Sequence, residues 1–157
     1  MDLKLEVVVL PVSDVDRAKA FYESAGFRVD VDKAASEEWR AVHLTPPGSE
    51  CSIMFGTGLT SAEPGSAQGL YLVVSDIEKA RTELVGRGID VSDIFHDAGG
   101  VIYHGHEGGD IVHNGQGQER LAGLHPDRTS YASFATFSDP DGNGWVIQEV
   151  MQRLPGR

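Results

Sequence analysis

Imidazole is the side chain that changes charge most readily near neutral pH, and five of the chain's six histidines fall between positions 96 and 130. Within that stretch His104, His106, Glu107, Asp110 and His113 bring enough nitrogen and oxygen donors together to hold a divalent metal. On extended backbone His104 and His106 project to one side, where His113 or Asp110 would complete the set. The spacing matches no closed zinc signature, and the surrounding glycines would make such a site costly to order. Two other readings therefore stand beside the metal. In one, the imidazoles lie on a lid that touches a ligand or partner, with His96 and His125 as anchors at its edges. In the other, the segment is a solvated loop. A metal-free acid–base mechanism would use His96 or His104 as proton carrier, with Tyr131, Arg128 or Arg40 stabilising developing negative charge.

Other chemistries are less well supported. SDPDGNG (138–144) offers Asp139, Asp141 and Asn143, but lacks the remainder of a twelve-residue calcium loop, so it reads as a tight turn. The glycines of 99–109 neither follow a strand nor open a helix, which removes the dinucleotide and phosphate-loop readings. A lone cysteine, Cys51, allows no disulfide within the chain and reads as a small buried hydrophobe. His43, alternating with Val42 and Leu44, reads as structural.

The elements that must position these residues are written twice. At an offset of 62, VSDVDRAKAFYESAGFRV (12–29) faces VSDIEKARTELVGRGIDV (74–91). Periods of this size mark supersecondary units that cannot bury their faces alone. Each copy reads as strand, helix and three further strands. Ser13 is the expected cap of the first helix, whose Val15, Ala18, Phe21 or Tyr22, and Ala25 recur at three- and four-residue steps. Ser75 and Glu78 have capping-box spacing in the second, and Gly26 and Gly88 can take the left-handed conformation that ends a helix. Strands are expected near 5–12, 27–32, 38–45 and 51–56, then near 69–74, 89–95, 131–137 and 144–151. The whole chain, 1–157, thus reads as one domain of two modules, 1–60 and 67–157, joined by a Gly/Ser/Pro linker. Residues 96–130 insert into the second as a long loop with, at most, a short strand at 101–103.

These helix motifs, together with SFATFSDPDGNGWVIQEV (133–150), resemble the vicinal oxygen chelate superfamily. It includes glyoxalase I, extradiol dioxygenases, methylmalonyl-CoA epimerase, and bleomycin- and fosfomycin-resistance proteins. The resemblance spans both modules and leaves out only 96–130. It implies an α+β fold of tandem βαβββ modules forming a curled sheet around a shared cleft, and a homodimer as in many relatives. Metal-dependent members place a His in the first strand and a Glu in the last strand of each module. The matching positions here are Val7, Phe55 or its neighbour Met54, Gly69 and Val146. None carries a donor for a divalent metal, so no cofactor is expected there and glyoxalase I or extradiol dioxygenase activity is not implied. Strand alternation puts Val7, Val9, Phe55, Tyr71, Val146 and Gln148 on the cleft wall, with Arg40 as a polar ligand contact.

Composition narrows the partners. With 24 acidic against 13 basic residues the net charge is −11, a poor match for nucleic acid or an anionic membrane surface. No run of 18 apolar residues and no secretion signal is evident, so the cytoplasm is the expected location. The leading expectation is metal-independent binding of a small hydrophobic or aromatic molecule in the cleft, of the resistance or sequestration kind. The alternatives are a lyase or isomerase that uses the loop histidines, with or without a relocated metal at His104, His106 and His113, and an interaction protein whose cleft is filled.

Overall fold

The computed structural model describes residues 1–97, 111–113, 116–118 and 120–155. Both helices begin at the aspartate of the VSD motif. Asp14 caps α1 (Val15–Ser24) by accepting the Arg17 N–H at 2.9 Å, and Asp76 caps α2 (Ile77–Gly86) by accepting the Lys79 N–H at 3.0 Å. The expected cap Ser13 stands one residue too early, and its hydroxyl and N–H donate instead to Asp141. Gly26 and Gly88, at φ +96° and +88°, turn the chain out of each helix.

The first sheet is formed by β1 (Val7–Val9), β2 (Arg28–Ser36), β3 (Trp39–Thr45) and β4 (Ser52–Thr57), in the order β1-β4-β3-β2. β1 runs parallel to β4, as a crossover through α1 requires, and the other pairs are antiparallel. The second sheet contains β5 (Leu70–Val74), β6 (Phe95–Asp97), β9 (Arg120–Ala122), β10 (Ser133–Ser138) and β11 (Gly144–Glu149), in the order β5-β11-β10-β6-β9. A separate hairpin pairs β7 (Ile111–His113) with β8 (Gln116–Gln118). The architecture is α+β, with βαβββ as the plan of each half and β7 to β9 inserted in the second.

Two expectations are corrected. The sheets are open rather than curled: each order runs from one edge strand to another, and no pairing among the described residues returns to its start. Closure needs two long edges in register, whereas β1 has three residues, and β2 presents Arg28, Asp30, Asp32 and Lys33 and is interrupted by two bulges. The 96–130 segment is not simply a loop either, because it contributes β7, β8 and β9, the last extending the second sheet beside β6. Expected strand 101–103 lies outside the described residues, and the strand expected at 89–95 forms only from Phe95 onward.

The chain makes two compact units, Met1–Ala67 with Asp139–Asn143, and Gln68–Ser138 with Gly144–Arg157. In the first, Tyr22 of α1 packs against Phe27 and Phe55, with ring centroids 5.3 and 5.7 Å away. The DPDGN turn belongs to this core. Asp139 Oδ1 accepts the N–H groups of Asp141, Gly142 and Asn143, and its Oδ2 accepts the Tyr22 hydroxyl and the Asn143 amide. In the second unit Ile77, Ala135, Ile147 and the stacked pair Phe137 and Trp145 are buried.

Candidate functional site

In β11 the side chains alternate, and Glu149 shows which way they point: its Oε2 accepts the N–H of Ile77, the first residue of α2, at 3.0 Å. Trp145, Ile147 and Glu149 therefore face the helix, while Val146 and Gln148 face away. Strand register extends the far face in two rows: Tyr71, Val146 and Thr136; then Val73, Gln148, Phe134, Phe95 and Ala122. Phe95, Phe134 and Val146 form a buried apolar cluster, with the two rings stacked at 5.7 Å. The Arg120 guanidinium lies 4.1 Å from the centre of the Phe95 ring. A ring pair adds about 0.5–1.5 kcal/mol beyond its buried area, and a cation over a ring about 0.5–2 kcal/mol. The face is graded: Phe134 is fully buried and Gln148 is 5% exposed, while Tyr71 and Val73 at one rim are 37% and 43% exposed.

The segment 125–131 borders this face under strain. Arg128 and Tyr131 are the two non-glycine residues with positive φ among the described residues, at +49° and +73°. Each such conformation costs about 1–2 kcal/mol. Paired bonds hold it in place: Arg128 donates from Nε and an Nη to the two Glu149 oxygens at 3.0 and 2.7 Å, and the Tyr131 N–H donates to the Glu149 carbonyl. Glu149 in turn holds the Arg128 guanidinium above its ordinary pKa. The Tyr131 carbonyl then receives the Gln148 amide at 3.0 Å.

Of the residues singled out from sequence, Tyr71, Val146 and Gln148 share this face. Val7 and Val9 occupy the helix-free face of the first sheet, in register with Ser52 and Met54 and one strand from His43. Phe55 does not: it is fully buried beneath α1 against Tyr22, so it is a core residue and the open-face position is Met54. Arg40 also lies on the helix side, ion-paired to Asp16 and Asp32 at 2.7 and 2.9 Å, and is not placed to meet a ligand on the other face. Its hydrogen bonds, with those of Lys19, hold Asp32 well below the usual carboxylate range. His96 is turned to the helix side, 8% exposed, with Nδ1 2.9 Å from the Gly123 carbonyl and its ring edge-on to His125. The Tyr131 hydroxyl accepts the Leu154 N–H at 3.2 Å. His104 and His106 lie outside the described residues, and His113 ends β7, paired in register with Gln116.

The residues at the metal positions of the family do not fit a metal. Val7, Met54 and Val146 offer no hard donor, and Gly69, just before β5, has no side chain. Among the described residues no group of three or more His, Cys, Asp or Glu side chains is arranged to hold a metal ion. Burial, with the Glu6 carboxylate nearby, pushes the Cys51 thiol up and away from the thiolate a nucleophile needs.

Phe95, Phe134 and Arg120 escaped the sequence reading. FATF alternation (134–137) was a usable signal for Phe134. Nothing in GQGQERLAG marks Arg120 as a strand residue beside Phe95, since three-residue strands carry too little pattern.

The model of the Glyoxalase/Bleomycin resistance protein/Dioxygenase superfamily matches residues 4–104. No curated protein matches the chain. Solved structures share the fold. TnmS3, an antibiotic binding protein from Streptomyces sp. CB03234, is 24% identical over 95% of this chain and 97% of its own, with a TM-score of 0.64. A glyoxalase/bleomycin resistance protein from the same strain is 24% identical over 93% of this chain and 100% of its own, at 0.62. A member of the superfamily from Sphaerobacter thermophilus DSM 20745 is 22% identical over 94% of this chain and 98% of its own, at 0.63. With well over half its length matched by the family model, the chain belongs to the Glyoxalase/Bleomycin resistance protein/Dioxygenase superfamily.

Proposed function

We propose that this protein binds a small, flat, partly aromatic molecule on the helix-free face of its second sheet, without a metal. The observation that carries the proposal is the exposed rim at Tyr71 and Val73, backed by the buried cluster of Phe95, Phe134 and Val146. A flat ring laid on that rim gains burial against Tyr71 and Val73, and needs few polar groups to orient it. The metal-independent part follows from the side chains at Val7, Met54, Gly69 and Val146. That TnmS3 is an antibiotic binding protein of the same fold supports a binding role over a catalytic one. The lyase or isomerase alternative would rest on loop histidines, and His96 is turned toward the helix side.

A ligand that binds only the folded chain raises its melting temperature, so thermal shift against a panel of fused-ring aromatics is the test. Stabilisation by at least one flat aromatic, weakened in Phe95→Leu and Tyr71→Ala, is expected. A panel without effect, or effects indifferent to both substitutions, would remove the proposal. Stoichiometric manganese, iron, nickel or zinc in protein purified without added metal would overturn its metal-independent part.

A further inference from the structure

The sheet edges are not equally protected. β2 carries charges and two bulges, β9 presents Arg120, and β1 is three residues long, all features that discourage an added strand. β5, LYLVV, has none of them: it is an edge of five apolar residues, with no proline and a register to β11 that is unbroken from Leu70 to Val74. The Val150 N–H donates to the Val74 carbonyl, so the main-chain groups of Val74 point toward β11 and, by alternation, those of Val73 point out from the sheet. There they have no hydrogen-bond partner among the described residues, and the Val73 side chain is 43% exposed. A groove of about 320 Å³ opens beside this edge, where Val73 and Ser75 meet Asp76, Lys79 and Glu83.

The same chain carries a strand pattern without a sheet. Residues 1–6 alternate Met, Asp, Leu, Lys, Leu and Glu in the period of a half-buried strand, yet Met1, Leu3 and Leu5 are exposed. β4, the partner of β1, begins at Ser52 opposite Val7, so the first sheet offers residues 1–5 no strand to pair with. We infer that residues 1–6 of a second copy lie along β5 as an added strand, and that the exchange is reciprocal, two arms meeting two edges about a twofold axis. Six extended residues span about 20 Å and the five of β5 about 17 Å, so the lengths match. With Leu3 and Leu5 on the side of Tyr71 and Val73, the acid–lysine–acid run Asp2, Lys4, Glu6 falls on the side of the groove. Asp76, Lys79 and Glu83 likewise set one lysine between two acids, so each lysine has a carboxylate to meet across the interface. The arm would also lengthen the apolar rim at Tyr71 and Val73 with residues from the partner copy, although the inference does not rest on the ligand reading.

The test is sedimentation velocity of the full chain from about 1 to about 100 μM, with hydrogen exchange read at the Val73 amide. The wild type should dimerise in that range, and exchange at Val73 should slow about fivefold as the dimer accumulates. Deleting residues 2–5, which make no hydrogen bond to any described residue, should leave a folded monomer with fast exchange at Val73 at every concentration. Leu3→Asp combined with Leu5→Asp should weaken the dimer by more than about tenfold, with circular dichroism showing that both variants fold. A wild type that stays monomeric to about 100 μM, or a dimer that survives the deletion or the paired aspartates, overturns the inference. So does slow exchange at Val73 that does not depend on concentration, because the edge would then be covered within one chain.

Discussion

The two units repeat one plan and fill it differently. On the helix side of the first sheet Phe55 of β4 meets the ring of Tyr22. On the helix side of the second, the corresponding last strand carries a fully buried carboxylate, Glu149, that accepts bonds from Arg128 and from the first N–H of α2. The helix-free faces differ in the opposite sense. The first shows Val9, 36% exposed, with half-buried His43 and Met54, whereas the second buries Phe95, Phe134 and Val146 around an amide. The backbone repeat, set by capping aspartates and helix-ending glycines, is therefore indifferent to what each sheet face carries. Buried aromatic and polar side chains are concentrated on the helix-free face of one half, while the other keeps the same scaffold.

The largest expected effect lies at the buried polar anchor of the second unit. Glu149→Ala should cost about 3–5 kcal/mol in urea unfolding, because it strands the Ile77 N–H and removes the partner of Arg128. A loss below 1 kcal/mol would mean that the second helix does not depend on this carboxylate. Next come the helix-free faces. Phe134→Ala should cost about 3–4 kcal/mol and Met54→Ala about 1 kcal/mol, the first residue being fully buried and the second only half so. Equal losses would erase the proposed asymmetry.

Gly26→Ala and Gly88→Ala test what the units share, and each should cost about 1 kcal/mol because both positions require positive φ. The smallest expected effect concerns a pair found only in the first unit. Arg40 and Lys19 lower the pKa of Asp32 below its ordinary 3.8. Stability from that carboxylate is therefore present above pH 4 and is lost as pH falls below it toward the depressed value. Asp32→Asn should cost roughly 0.5–1 kcal/mol near pH 7, discounted for partial exposure, and should flatten the acid limb of the stability curve below pH 4. An unchanged acid limb would show that this ion pair contributes nothing to folding.

Much of the scaffold was legible because it is encoded locally. The doubled VSD motif announced both helices, Gly26 and Gly88 their ends, and the DPDGN turn its place between the last two strands. Parity along β11 placed Val146 and Gln148 together, since alternation needs only a correct strand assignment. The same reasoning misplaced Phe55 by one residue, because a shift of one position moves a strand residue to the other face. Arg40 was read as a ligand contact for a similar reason: its partners Asp16 and Asp32 lie on two other elements, and spacing says nothing of them. The insertion hid β9 and Arg120, as backbone pairing of a three-residue strand requires no side-chain pattern.

The amino-acid sequence alone carries the two-module plan, the family, the absence of hard metal donors at Val7, Phe55 or its neighbour Met54, Gly69 and Val146, and the acidic charge that disfavours polyanions. All of these follow from residue identity and short-range periodicity. Only the tertiary structure decided that Phe95, Phe134 and Arg120 gather beside Gln148, that Glu149 lies buried under α2, and that Tyr131 is strained into the position that orients an amide. Those juxtapositions join residues distant in the chain, and they are set by strand register and burial, which no local pattern contains.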